Sequence, residues 1–269
     1  MELGVTKTLR ELNYDCFKSM FYLDAESSKA REIDLVAEAY AGDREHFFQG
    51  TLVIECKKSS KPFVILCDDS EKHRIGEYVL RDTLILVRCG KFVVDAQSSP
   101  TELKWFNKRS MPVLGCDSRV GYALVKSHSR DDSDTYAEIL KLAKAYEDVS
   151  QREHERFEKI RTDSNLKDNY EKRCFVVVPL LVVDAPLTEV YIGKKGETIV
   201  TETDISILTI RLPWRDLYNP TTTILVARNV IVKNLGRDFL KFLDKVVARR
   251  PESDAYLKEK EGRIERGHP

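Results

Sequence analysis

The chain predicts an α/β fold, and three features of its patterning carry that expectation. The first sixty residues read as a short helix followed by three extended segments. A long amphipathic helix begins at Ser133. The run Phe175-Val-Val-Val-Pro-Leu-Leu-Val-Val183 follows it, apolar on both faces as a buried strand should be. A helix between two strands is the crossover that parallel pairing needs.

Residues 2–12 form the first expected helix, with Leu3, Val5, Leu9 and Leu12 as its apolar stripe. Strands are expected at 16–23, 33–39 and 51–57. Pro62 opens a further extended piece at 63–66, and Asp68-Asp69-Ser70 caps an expected helix reaching Leu80. Segments 84–88 and 92–95 flank Cys89-Gly90-Lys91 as a hairpin, 97–119 is irregular, and 122–125 is a short strand. The long helix is expected to run from 133 to about 170, amphipathic in its first half and polar over 150–173. Pro179 in the returning strand implies a bulge or an edge position. A hairpin about Gly193-Lys-Lys-Gly196, strands at 205–210 and 223–232, and a closing helix at 237–248 complete the expectation.

Composition narrows the function classes. The chain has 269 residues, 42% hydrophobic and 33% charged, enough for a substantial core. Lys+Arg and Asp+Glu both number 44, so nucleic-acid affinity must come from a local patch or from metal ions, not from a global basic field. The six cysteines lack metal-ligand or Cys-x-x-Cys spacing, and His46, His73, His128 and His154 show no paired spacing. Unpaired thiols, no signal-peptide pattern, and an apolar run far below a membrane span lead to the expectation of a soluble, cytoplasmic protein with no membrane partner.

The chemistry-bearing pattern is Thr51-Leu-Val-Ile54 running into Glu55-Cys56-Lys57, with Arg31-Glu-Ile-Asp34 upstream. Residues two apart on a strand share a face, so Glu55 and Lys57 point together. Taken alone, such a triplet ordinarily makes a surface ion pair worth under about 1 kcal/mol. Its position at the end of an apolar strand, with Ile-Asp before it, is what gives it meaning. Two carboxylates and a lysine gathered from neighbouring strands can hold a divalent cation against a phosphodiester.

The phrases Arg-Glu-Ile-Asp-Leu-Val (31–36) and Leu-Val-Ile-Glu-Cys-Lys-Lys-Ser (52–59) resemble the core motifs of the PD-(D/E)xK nuclease superfamily, which includes restriction endonucleases and Holliday-junction resolvases. The resemblance covers residues 2–60 and extends loosely to the helix near 135 and the strand near 175. It lacks the proline that commonly precedes the motif aspartate. It implies a restriction-endonuclease-like core of helix, three-strand meander, crossover helix and returning strand, formed by 1–61 and 133–192. An α/β elaboration is inserted at 62–132, a C-terminal strand and helix extension occupies 193–250, and 251–269 is a charged tail.

By resemblance, Asp34, Glu55 and Lys57 are the catalytic set, and Glu2 is a candidate fourth member. Asp34, Glu55 and the Cys56 carbonyl are the ligands for Mg2+, with Mn2+ as a plausible substitute. The implied activity is that of a metal-dependent DNA endonuclease. The alternative is a nuclease-like module that binds DNA or a protein partner in a repair or defence complex. Lys58, Lys61, Lys104, Lys108 and Arg109 are the expected phosphate-contacting rim. The 150–173 helix is the candidate surface for a homodimer or larger complex.

Overall fold

Alternating apolar positions fold the first sixty residues into a meander. Helix α1 (Glu2–Arg10) leads into β1 (Asp15–Asp24), β2 (Lys29–Gly42) and β3 (His46–Lys58), paired antiparallel in that order. The computed structural model describes residues 1–24, 27–42, 46–68, 71–74, 84–89, 92–95, 117–127, 133–162, 172–212 and 221–248. The remaining strands are β4 (Phe63–Cys67), β5 (His73–Arg74), β6 (Leu84–Cys89), β7 (Phe92–Asp95), β8 (Asp117–Ser118), β9 (Val120–Lys126), β10 (Lys172–Asp184), β11 (Leu187–Ile192), β12 (Thr198–Thr203), β13 (Ile205–Arg211) and β14 (Thr221–Arg228). Helix α2 (Ser133–Thr162) precedes β10, and helix α3 (Val232–Ala248) follows β14. The result is a mixed α/β architecture built on a 12-stranded sheet of order β1-β2-β3-β10-β14-β13-β9-β4-β11-β12, with β6 and β7 attached at β10. Strands β5 and β8 pair separately. Among the described residues, no helix is long and apolar enough to cross a membrane.

Helix α2 is the crossover, and β10 returns parallel to β3 along thirteen residue pairs from Lys172↔His46 to Asp184↔Lys58. Val176, Val178, Leu180 and Val182 point to one face of the sheet, where Val5 and Leu9 of α1 and Phe239 and Phe242 of α3 pack. Val177, Leu181 and Val183 point to the other, against Ile139, Leu142 and Tyr146 of α2. A strand covered on both sides gains from being apolar throughout.

Pro179 occupies neither a bulge nor a sheet edge. On the side of β10 away from β3, pairing with β6 ends at Val177 and pairing with β14 begins at Leu180. A residue without an N–H costs no ladder bond where the strand changes neighbour.

Other elements depart from expectation for local reasons. Leu3 is exposed, so the buried stripe of α1 is Val5 and Leu9. The helix expected from Asp68 to Leu80 is interrupted where His73–Arg74 pairs with Asp117–Ser118; residues 75–83 lie outside the described residues. Within 62–132, strands β4, β6 and β9 join the main sheet. The expected strand over 223–232 ends at Arg228 and passes through a single 3-10 turn, Asn229–Ile231.

Helix α3 then starts five residues before the expected Arg237. Gly236 lies inside this helix, and a side chain there would meet Leu12 Cδ1 at 2.9 Å and Leu9 Cδ2 at 3.1 Å. The bare backbone also lets Tyr14 donate its hydroxyl to the Gly236 carbonyl at 2.8 Å. The glycine lets α3 pack against Leu9 of α1 and against Leu12 and Tyr14 just after it.

Gly50 plays the matching part under α3, since a Cβ there would lie 2.4 Å from Phe239 Cε1 and 3.0 Å from Leu243 Cδ1. Gly50→Ala is therefore expected to cost about 1–3 kcal/mol through overpacking. Urea unfolding should show a lower midpoint with an unchanged m value, and an unchanged midpoint would refute this packing account.

Candidate active site

The site begins with a paired change of phase in β1 and β2. Ile33 and Val36 both pack in the α2-side core although they are an odd number of residues apart. On β1, Tyr22 packs there too with Met20 against it, while Phe17 lies opposite Val36. Alternation is therefore interrupted in both strands, where the β1–β2 register skips the Ser19–Asp34 pair and Ser19 adopts φ 52°. A positive φ in a residue with a Cβ is uncommon, and such local distortions re-aim side chains.

The β2–β3 register stops one pair later, at Leu35↔Ile54. Asp34 thus sits where the two strands part. Its carboxylate takes over the ladder's role, with Oδ2 accepting the Cys56 N–H at 2.8 Å.

Glu55 stands on the α2-facing side of β3 and is fully buried. Its Oε1 accepts from Lys57 Nζ at 3.0 Å and from Lys141 Nζ of α2 at 2.8 Å. Lys57 is held in turn by Glu138 Oε2 at 2.8 Å, one helical turn before Lys141. Burial, aided by the charge of Asp34, pushes the Glu55 carboxyl above its ordinary value against the pull of both lysines. Burial works against the Lys57 ammonium too, but its contacts with Glu138 and Glu55 outweigh it and hold Lys57 above its ordinary value. Glu138 is likewise opposed by burial, yet Lys57 and Lys141 bring it below its ordinary value.

The structure therefore gathers Asp34, Glu55 and Lys57 around the end of β3. Cys56 points its thiol to the opposite, α1-side core. In a strand, one residue's N–H and C=O leave by the same edge. The Cys56 carbonyl is thus directed toward Asp34. Glu2 lies on the exposed first turn of α1, where its charge reaches Cys56; it is not part of the Glu55 cluster. Lys58 and Lys61 are exposed just beyond Lys57. Lys104, Lys108 and Arg109 lie outside the described residues, as does most of the irregular stretch 97–119.

Sequence reasoning missed Glu138 and Lys141. Both flank the apolar stripe Ile139, Leu142, Ala143 and Tyr146 at helical spacing, and polar residues bordering a buried stripe were the available signal.

The residues present fit one hard divalent cation. Glu55 Oε2 is buried without a hydrogen-bond partner, an orphaned oxygen on an otherwise saturated carboxylate. Two carboxylates and a main-chain carbonyl are the oxygen donors that magnesium accepts while keeping several waters. Among the described residues, no group of three or more His, Cys, Asp or Glu side chains is gathered to hold a metal, so the donor set stays small.

The pH dependence of stability tests the electrostatics without a metal. Because Glu55 is raised above its ordinary 4.5, its contribution is fully present below that value and is lost as pH rises through the folded value. Glu55→Gln stays neutral throughout. In EDTA, the stability of Glu55→Gln relative to wild type should rise between about pH 4.5 and 8. Chemical denaturation of both proteins across that range measures it, and a flat or falling difference would contradict the buried-carboxylate account.

No protein-family model, no curated protein and no solved structure matches this chain.

Proposed function

We propose that the protein hydrolyses phosphodiester bonds in nucleic acid, most specifically as a metal-dependent DNA endonuclease with a PD-(D/E)xK-type, restriction-endonuclease-like core. The single observation that carries this reading is the state of Glu55. It is a wholly buried carboxylate whose Oε1 is shared by two lysines and whose Oε2 has no partner, beside a second carboxylate at a strand fork. The motif resemblance of residues 31–36 and 52–59 supports the same reading.

Asp34, Glu55 and the Cys56 carbonyl are the groups that would hold Mg2+ or Mn2+. Such an ion supplies Lewis-acid polarisation of the phosphate and a water of lowered pKa. The chain's own contribution is positioning and charge. Lys141 anchors Glu55 Oε1, so the free oxygen keeps a fixed direction. Lys57 is 27% exposed at its side chain, charged at neutral pH, and tethered by Glu138. A lysine held in its ammonium form is a poor general base. Its role is to donate to the attacking water or to a non-bridging oxygen, offsetting negative charge as one bond to phosphorus forms and another breaks. Helix α2 covers the cluster and limits bulk water, which strengthens each of these interactions.

Cleavage of supercoiled plasmid with Mg2+ or Mn2+ tests the reading. Wild type is expected to nick or linearise the plasmid, Asp34→Asn and Glu55→Gln to fall to the blank, and Lys57→Ala to lose about 10²–10³-fold. If wild type cuts no better than the three variants on plasmid, linear duplex, branched DNA or RNA, hydrolysis is excluded and the binding-module reading takes its place.

A further inference from the structure

Beside the Glu55 cluster, a cleft of 310 Å³ opens between the outer end of the β1–β2 hairpin and α2, lined by Tyr22, Asp24, Arg31, Glu138, Lys141 and Lys144. It shares Glu138 and Lys141 with the candidate active site, so the two adjoin along one helix. The phase change at Ser19 and Asp34 creates it. Beyond that point Tyr22 and Arg31, directly paired across the strands, face α2. Without the shift, alternation would point both to the opposite side of the hairpin.

Asp24 organises the cations of this cleft. It is 4% exposed and accepts from Lys144 Nζ at 3.0 Å through Oδ1, with Arg31 Nε 3.7 Å from Oδ2. The second distance is too long for a hydrogen bond. The Arg31 guanidinium lines the cleft, is 51% exposed and makes only this long contact with Asp24, and its planar fork of donors suits bidentate binding of a phosphate. Burial, with the charge of Asp24, pushes the Tyr22 phenol up to about 12, which keeps it a donor. Lys141 and Lys144 are three residues apart on α2, so their Cβ atoms are about 5–6 Å apart. That separation is of the order of the distance between successive phosphates on one strand.

We infer that this cleft is an anion subsite that seats the phosphate next to the scissile one on a nucleic-acid strand, with Arg31 and Lys144 as its ligands and Asp24 as their positioning residue. The inference rests on the hydrolytic reading for what happens at Glu55, but not for the binding itself. A strand laid along α2 passes from Lys57 and Lys141 to Lys144 and Arg31. A neutral protein can thus hold a polyanion locally, as its charge balance requires.

Binding is measured in EDTA, where no cleavage occurs, by fluorescence anisotropy of a short labelled DNA strand and of its duplex at several salt concentrations. Arg31→Gln is expected to weaken binding about tenfold and to lower the slope of log K against log salt by about one. Lys194→Gln, an exposed charge at the distant β11–β12 turn, should change neither by a comparable amount. Asp24→Asn should weaken binding less than Arg31→Gln while loosening Lys144. Equal binding by Arg31→Gln and wild type, or equal losses in Arg31→Gln and Lys194→Gln, overturns the subsite. No binding by wild type to either DNA also overturns it. If wild type binds with Arg31 dependence yet never cleaves plasmid, the subsite stands and the hydrolytic reading falls. Plasmid cleavage that is indifferent to Arg31→Gln gives the reverse result.

Discussion

A carboxylate with no access to water is the constraint around which the sheet and its covering helix are arranged. Glu55 enters the interface between β3 and α2 at a level otherwise filled by Val53, Leu142 and Tyr146. Its charge is tolerable there only with partners. One comes from its own strand and one from the helix, so Lys57 and Lys141 tie β3 to α2 at a defined register. Glu138 extends the tie by holding Lys57 from the preceding turn. Such a cluster is weak evidence for stability, because an apolar pair of similar volume would pack there at no greater cost.

The second organising feature is strain placed beside that cluster. Ser19 at φ 52° interrupts β1, and the interruption propagates into β2 at Asp34. Three consequences follow from one distortion. The β2–β3 ladder opens after Leu35, Asp34 turns along the strand edge to meet the Cys56 amide, and Arg31 and Tyr22 come round to face α2. A regular hairpin would give none of these. Distortions of this kind cost roughly 1–3 kcal/mol and persist where surrounding contacts over-determine them. Ile33 and Met20 packing into the α2-side core supply that support.

The relation between residues and structure explains what the sequence could reveal. Strand β3 was readable because Thr51 to Ile54 is a short apolar run, as suits a strand buried on both faces. The parallel return of β10 was readable because a strand buried on both sides is apolar throughout. Asp34 and Glu55 could be singled out as carboxylates intruding on such strands. Lys141 could not, since it reaches Glu55 across 86 positions and only the seating of α2 decides which polar neighbour of its stripe points inward. The phase change was equally hidden, because nothing in Lys18-Ser19-Met20 demands a positive φ. Pro179 was harder to place, because it is unfavourable within a strand taken alone and sits where β10 changes neighbour from β6 to β14.

A second buried glutamate in the same sheet shows what distinguishes a site from a structural pair. Glu189 of β11 is 3% exposed, and both of its oxygens are occupied. Ser118 and Ser206 donate to Oε1 at 2.7 and 2.8 Å, and Arg119 donates to Oε2 at 3.1 Å. The Arg119 guanidinium also lies 3.4 Å over the Tyr191 ring. That cluster ties β8, β11 and β13 together and leaves neither oxygen of Glu189 without a donor, although Arg119 Nε is itself buried without a partner. Glu55 is buried at least as deeply, receives two ammonium groups on one oxygen, and is left with the other oxygen bare. Desolvating an acceptor without satisfying it costs about 1–3 kcal/mol. The same fold satisfies Glu189 completely with ordinary side chains. The bare oxygen at Glu55 is what separates it from Glu189, and the proposed metal-binding role rests on that difference.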